Sequence, residues 1–172
     1  MQALAFWKAV AMDESNLLER FVGLLEEHGL RYCVIGGQAV NAYVEPLVSL
    51  DLDVVIANDQ LQEAKRLLAT AFKVEEYAHS LNVSAPGSNL RIRIQTDPRY
   101  AAYVERAQTK KVLGMLLRVA RLEDVLQGKV WAAQDPERRS SKRKKDLLDI
   151  ERILERYPEL RSQVPPEVLE SL

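Results

Sequence analysis

Residues 32–57 read YCVIGGQAVNAYVEPLVSLDLDVVIA. Within this stretch Asp51 and Asp53 lie two residues apart in an apolar run, Leu50-Asp51-Leu52-Asp53-Val54-Val55-Ile56. The run predicts a strand over about 50–57. Successive side chains of a strand alternate faces, so both carboxylates project to one side while Leu52, Val54 and Ile56 project to the other. Two like charges side by side on a core strand are costly unless a cation neutralises them. Upstream, Tyr32-Cys33-Val34-Ile35 predicts a strand over 31–35. It ends at Gly36-Gly37, and a short helix over 38–44 follows, stopped by Pro46. A glycine turn that lets backbone N–H groups approach a phosphate, beside paired carboxylates suited to a divalent ion, points to nucleotide chemistry.

Outward from this stretch, helical spacing of Leu17, Leu18, Phe21, Val22, Leu24 and Leu25 predicts a helix over 13–28, with Asp13 or Ser15 as its cap and Gly29 at its stop. A second helix follows Asn58 or Asp59, with Leu61, Ala64, Leu67, Leu68, Ala71 and Phe72 on its face. Two short strands are expected within 73–84 and an alternating strand over 90–96, broken by Asp97-Pro98. A helix over 99–107, a strand near 115–119 and helices over 121–134, 140–157 and 166–171 complete the chain. Strands fill the middle and helices the end. This predicts an α+β fold: a mixed sheet flanked by helices, with a helical C-terminal portion. The expected organisation is a core over 1–120 and a helical region over 121–172 packed on it as one compact domain.

With 47% hydrophobic and 28% charged residues, a normal core is expected and disorder is not. A net charge of −1 argues against a wholly basic nucleic-acid coat and leaves room for a local basic patch. The single cysteine, Cys33, excludes an internal disulfide or a cysteine-based zinc cluster and reads as a buried small hydrophobe. No apolar stretch approaches a membrane span. The segment MQALAFWKAVAM over 1–12 reads as a docking segment, and a cytoplasmic location is expected. His28 and His79 have no partner pattern for a triad or a zinc site.

Gly36-Gly37, thirteen residues, then Asp51-x-Asp53 resembles the nucleotidyltransferase signature. Over roughly 30–155 the chain looks like the minimal nucleotidyltransferases, in particular the AbiEii-type toxin branch. That branch carries a lysine and a Lys/Arg-Asp-x-x-Asp stretch in its helical region, matched here by Lys129 and by Lys145-Asp146-Leu147-Leu148-Asp149. The resemblance implies a nucleotidyltransferase-like sheet and transfer of a nucleoside monophosphate from an NTP to an acceptor hydroxyl of RNA, protein or a small molecule. It implies Mg²⁺ or Mn²⁺ on Asp51 and Asp53, and contacts to nucleotide from Gly36, Gly37, Gln38, Arg93, Lys129, Lys145 and Asp146. A toxin or defence role with an antitoxin partner is implied by the resemblance alone.

Three features carry two readings each. Lys129 falls in the apolar stripe of Leu122, Val125, Leu126, Val130 and Ala133. It must pair with a carboxylate such as Asp146, touch nucleotide phosphates, or do both. RRSSKRKK over 138–145 has six basic residues in eight. It is either a solvated helix start or a contact surface for nucleotide or RNA phosphates, Arg138 to Lys145. Such nucleotidyltransferases usually carry a third carboxylate, a metal ligand and base, on the strand across from Asp-x-Asp. Here that strand offers Arg91, Arg93 and Gln95, with Asp97 just beyond. Asp97 either completes the catalytic set with Asp51, Asp53 and Lys129 or is a simple turn residue. Without it, the alternative is a catalytically reduced protein that binds nucleotide or RNA.

Overall fold

The computed structural model describes residues 16–172, together with 5, 6 and 9. The expected docking role of residues 1–12 falls almost wholly outside the described residues, as do the caps expected at Asp13 and Ser15. No helix among the described residues is long and apolar enough to cross a membrane.

The elements follow the apolar patterning. Helix α1 spans Leu17–Glu27 and buries Leu17, Leu18, Phe21, Val22 and Leu25 at helical spacing. Strand β1 (Tyr32–Ile35) is buried at all four residues, as a central strand covered on both faces must be. Helix α2 (Gly36–Asn41) starts directly on the glycine pair, two residues earlier than its composition suggests. Strand β2 (Asp51–Ile56) keeps Leu52 and Val54 buried and leaves Asp51 and Asp53 partly open, the alternation expected of it. Helix α3 (Leu61–Ala71), strands β3 (Lys73–Tyr77), β4 (Ser80–Ser84) and β5 (Arg91–Gln95) come next, then β6 (Gln108–Val112) and β7 (Met115–Val119). Helices α4 (Leu122–Gln134), α5 (Ser140–Arg156) and α6 (Pro166–Leu169) end the chain.

Seven strands form one mixed sheet in the order β3-β4-β5-β2-β1-β7-β6. Strand β2 runs antiparallel to β1 and parallel to β5, which places it at the centre with the glycine turn on one side and the arginine strand on the other. Helix α2 packs against β2 and also touches α4 and α5, so the C-terminal helices sit over the start of β2. Hydrogen bonds from Tyr157 Oη to the Tyr43 carbonyl (3.2 Å) and from Tyr43 Oη to the Ala120 carbonyl (2.8 Å) fix this arrangement.

Two expectations change. Strand β6 has no apolar alternation because it is a sheet edge with one neighbour. Its hairpin to β7 turns through Leu113 and Gly114, both at positive φ (54° and 82°), the conformation a two-residue hairpin turn demands. The segment after β5 forms a 3₁₀ turn over Pro98–Tyr103 rather than a helix over 99–107. Pro98 sets its first position, and Asp97 Oδ1 accepts the Arg99 N–H at 3.0 Å.

Candidate active site

At the end of β1 the register sets Ile35 beside Asp53. Gly36 follows in the left-handed region at φ +69°, and a Cβ built there would stand 2.6 Å from Asp53 Oδ2. Only glycine lets the turn pass under that carboxylate. Gly37 faces the other way, with Asp149 Oδ2 4.0 Å from where its Cβ would be. The glycine pair thus lies between a carboxylate of β2 and one of α5.

Burial pushes the Asp53 carboxyl pKa up. The Arg93 and Lys129 charges pull it back, and Asp51 raises it further. Arg93 stands across from Asp53 in the parallel register of β2 and β5, and Arg91 across from Asp51. Arg91 Nε lies 2.6 Å from Asp51 Oδ1, but the arginine is largely exposed, so this pair contributes no more than about 1 kcal/mol. The cations that neutralise the paired carboxylates come from the next strand. Beyond Arg93 the same row continues to Asn82 on β4 and Glu75 on β3.

A second cluster lies beneath α4 and α5. Lys129 is buried, its Nζ 3.1 Å from Asp146 Oδ1 and 2.9 Å from Asp149 Oδ2. Arg138 grips Asp146 through Nε (2.5 Å) and Nη2 (3.2 Å). Arg152 Nη1 lies 2.6 Å from Asp149 Oδ1, and its Nη2 donates to the Glu45 carbonyl and to Asn41 Oδ1. Burial works against the Lys129 ammonium, and the Asp149 and Asp146 carboxylates outweigh it, so its pKa rises. The ion-pair reading of Lys129 and Asp146 is correct. Asp146 is spent on two cations, and a carboxylate so placed does not receive a nucleotide phosphate.

Both clusters border one cleft of about 500 Å³, lined by Gly37, Asp51, Asp53, Arg93, Lys129 and residues of α5. Its lining holds eight basic and five acidic side chains, so the cleft favours anions. Among the described residues, Arg93, Arg139, Lys142 and Lys145 line it without any ion-pair partner. Burial and the Arg93 charge push the Lys142 ammonium pKa down.

Helical geometry divides the basic run. Arg139, Lys142 and Lys145 face the cleft and Arg138 enters the buried network, while Arg143 and Lys144 line a separate groove beside α6. The run is therefore not one continuous phosphate-binding strip.

Two further expectations are corrected. The Gln38 side chain is buried, donates from Nε2 to the Ser49 carbonyl (3.1 Å) and accepts from Asn41, so it braces the loop before β2 instead of reaching phosphate. Asp97 does not join Asp51 and Asp53. It lies four residues past Arg93 on the same strand direction, about 13 Å along it, and does not line the cleft. Its carboxylate accepts from Arg99 N and Nε, and these bonds outweigh burial and lower its pKa. Arg99 in turn stacks on Trp131 of α4 (4.7 Å). Asp97 thus ties the end of β5 to the helical region.

Sequence reasoning named Asp149 only as the end of the Lys145–Asp149 motif and gave it no role, and it missed Arg152 as a cluster member and Asn82 and Glu75 as part of the cleft floor. Asp149 and Arg152 follow Lys142, Lys145 and Asp146 at helical spacing, beside the buried Ile150, Ile153 and Leu154. That polar stripe bordering the helix's short apolar one was the available signal. Asn82 and Glu75 gave none, because their row is set by strand pairing.

No family model and no curated protein matches the chain. Solved structures do. The antibiotic-resistance factor ANT(2'')-Ia superposes with a TM-score of 0.57 at 16% identity, covering 88% of this chain and 94% of its own. The lincosamide antibiotic adenylyltransferase LnuA gives 0.51 at 12% identity, over 83% and 99%. An antigenic nucleotidyltransferase-like protein from Paracoccidioides brasiliensis gives 0.50 at 17% identity, over 87% and 75%. The chain has the nucleotidyltransferase fold.

Proposed function

We propose that the chain transfers a nucleoside monophosphate from an NTP to an acceptor oxygen. The observation that carries this is the juxtaposition of Asp51 and Asp53, on one face of β2 beside the Gly36 turn, with cleft cations that have no ion-pair partner among the described residues.

The residues fit one nucleotide-bound divalent ion. Magnesium is commonly held by one or two carboxylates together with substrate phosphates, and Asp51 and Asp53 supply that pair. The described residues contain no group of three acidic, histidine or cysteine side chains for a fully protein-built metal site. Asp51 and Asp53 would hold Mg²⁺ or Mn²⁺, which would neutralise charge developing on the transferred phosphoryl group. Arg91 must release Asp51, which its exposure allows. Gly36 and Gly37 leave room for the phosphates beside Asp53, and Arg139 and Lys145 neutralise the triphosphate. Lys129 is a positioning residue. It holds Asp146 and Asp149 in place and lends positive charge beneath Asp53. Catalysis rests on orientation and charge neutralisation, with no covalent intermediate.

A second reading, a catalytically reduced binder of nucleotide or RNA, is favoured by one observation: Arg93 occupies the strand position facing Asp53. Incubation with each α-labelled NTP, Mg²⁺ and total RNA, protein or small-molecule acceptors separates the two. Transferred label establishes the enzyme, and saturable NTP binding without transfer establishes the binder. A toxin or defence role with an antitoxin partner rests on the AbiEii resemblance. Growth arrest on expression, relieved by a neighbouring protein, tests it.

A further inference from the structure

The acceptor side of this cleft is built for an anion. In-line displacement at the α-phosphorus puts the attacking oxygen opposite the departing pyrophosphate. With the triphosphate over Gly36–Gly37, on the β1 side of β2, the attacking oxygen arrives from the β5 side. In the sheet order β5-β2-β1 that is the side of β2 away from the glycine turn. On the β5 side the residue facing Asp53 is Arg93, and Lys142 of α5 lines the same cleft within reach of the Arg93 charge. Neither cation has an ion-pair partner among the described residues. Like charges brought together in a partly buried cleft are unfavourable until an anion joins them.

A hydroxyl acceptor needs a base to take its proton. On this side Asp51 and Asp53 are the adjacent carboxylates, and the nucleotidyl-transfer reading commits both to the metal. Asp146 and Asp149 are each bound to two cations, Asp97 is turned away, and neither histidine lines the cleft. Glu75 lies two strands beyond Arg93, about 10 Å away. An acceptor oxygen that is already an anion needs no base.

We infer that the acceptor is a phosphate monoester, bound between Arg93 and Lys142, whose oxyanion attacks the NTP. This rests on the nucleotidyl-transfer reading. An oxygen of the acceptor phosphate forms a bond to the α-phosphorus, and the bond from that phosphorus to the oxygen bridging the β-phosphate breaks. Its electron pair leaves on pyrophosphate. The product carries a new P–O–P linkage, and no proton is removed from the acceptor.

The test supplies α-labelled NTP and Mg²⁺ with glycerol phosphate, a nucleoside 5′-monophosphate and a 5′-phosphorylated oligonucleotide, each beside its dephosphorylated counterpart. Label is expected on phosphorylated acceptors only, in a product that alkaline phosphatase leaves intact and a nucleotide pyrophosphatase splits to NMP. The small-molecule and oligonucleotide arms show which source the site takes. Arg93→Gln and Lys142→Gln should each raise the acceptor KM by about tenfold or more and the NTP KM much less, with Arg93→Lys restoring part of the loss. Label on the dephosphorylated counterparts overturns the inference and leaves nucleotidyl transfer standing. Absence of transfer with Mg·NTP binding retained in calorimetry overturns it in favour of the binder, and loss of both overturns the NTP reading as well. An unchanged acceptor KM in folded Arg93→Gln also overturns it.

Discussion

The cleft holds two charged clusters of opposite character. Beneath α4 and α5, Lys129, Arg138 and Arg152 close around Asp146 and Asp149, and each carboxylate meets two cations. On the sheet and along the outer turns of α5, Asp51 and Asp53 share the cleft with Arg93, Arg139, Lys142 and Lys145, none of which has an ion-pair partner among the described residues. The closed cluster is finished without a ligand, so its work is to hold the helices against the sheet. The open cluster is less compensated by protein charge, and on the proposed reading it takes phosphates and a divalent ion.

The largest effect should come from opening the closed cluster. Lys129→Met leaves two buried carboxylates with one cation each and should cost about 3–5 kcal/mol in urea denaturation at neutral pH. Because the folded-state pKa of Lys129 lies above its ordinary 10.5, its contribution is complete below that value and is lost only as pH rises through the folded-state pKa. The alkaline loss should vanish in Lys129→Met. A change under about 1 kcal/mol would mean that the cluster is solvated like a surface ion pair.

Gly36→Ala probes where the open cluster meets the backbone. A left-handed φ together with contact to Asp53 should cost about 1–3 kcal/mol, and the displaced carboxylate should remove Mg·NTP binding. Unimpaired binding would show that Asp53 need not occupy its place over the turn.

Asp97→Ala should cost about 0.5–2 kcal/mol as a lost cap and leave Mg·NTP binding intact. Since its folded-state pKa lies below the ordinary 3.8, its contribution is present above that value and is lost as pH falls through the lower one. Loss of NTP binding in a folded Asp97→Ala protein would return this residue to the site.

The smallest effect is a salt slope. Replacing Arg139, Lys142 and Lys145 with glutamine should flatten the salt dependence of single-stranded polyanion binding by about 0.7 per charge. The Arg143/Lys144 pair, on the other groove, should change it less. Equal effects from both sets would mean that the run acts as one undivided surface.

The legible part of this molecule was the part written in local periodicity. The alternation around Asp51 and Asp53, the glycine pair and the apolar stripe interrupted by Lys129 all led to the observed elements and to one cleft. The sheet edge β6 escaped because an exposed edge strand need not alternate. Asp97 misled because parity along β5 is right while its distance from Asp53 is wrong. Strand register, which sequence does not state, decides that distance. Gln38 follows the glycines in sequence, but the first turn of α2 rotates its side chain into the core. The partition of RRSSKRKK needed the phase of α5, readable only once Asp146 and Asp149 were known to face inward.

The most direct test is calorimetric titration of Mg·NTP into the parent protein and into Asp51→Asn/Asp53→Asn. The open-cluster reading predicts saturable binding to the parent and none to the double variant, whose fold is as stable as the parent or more so because the repulsion between the carboxylates is gone. Equal Mg·NTP affinity in the two proteins would contradict it.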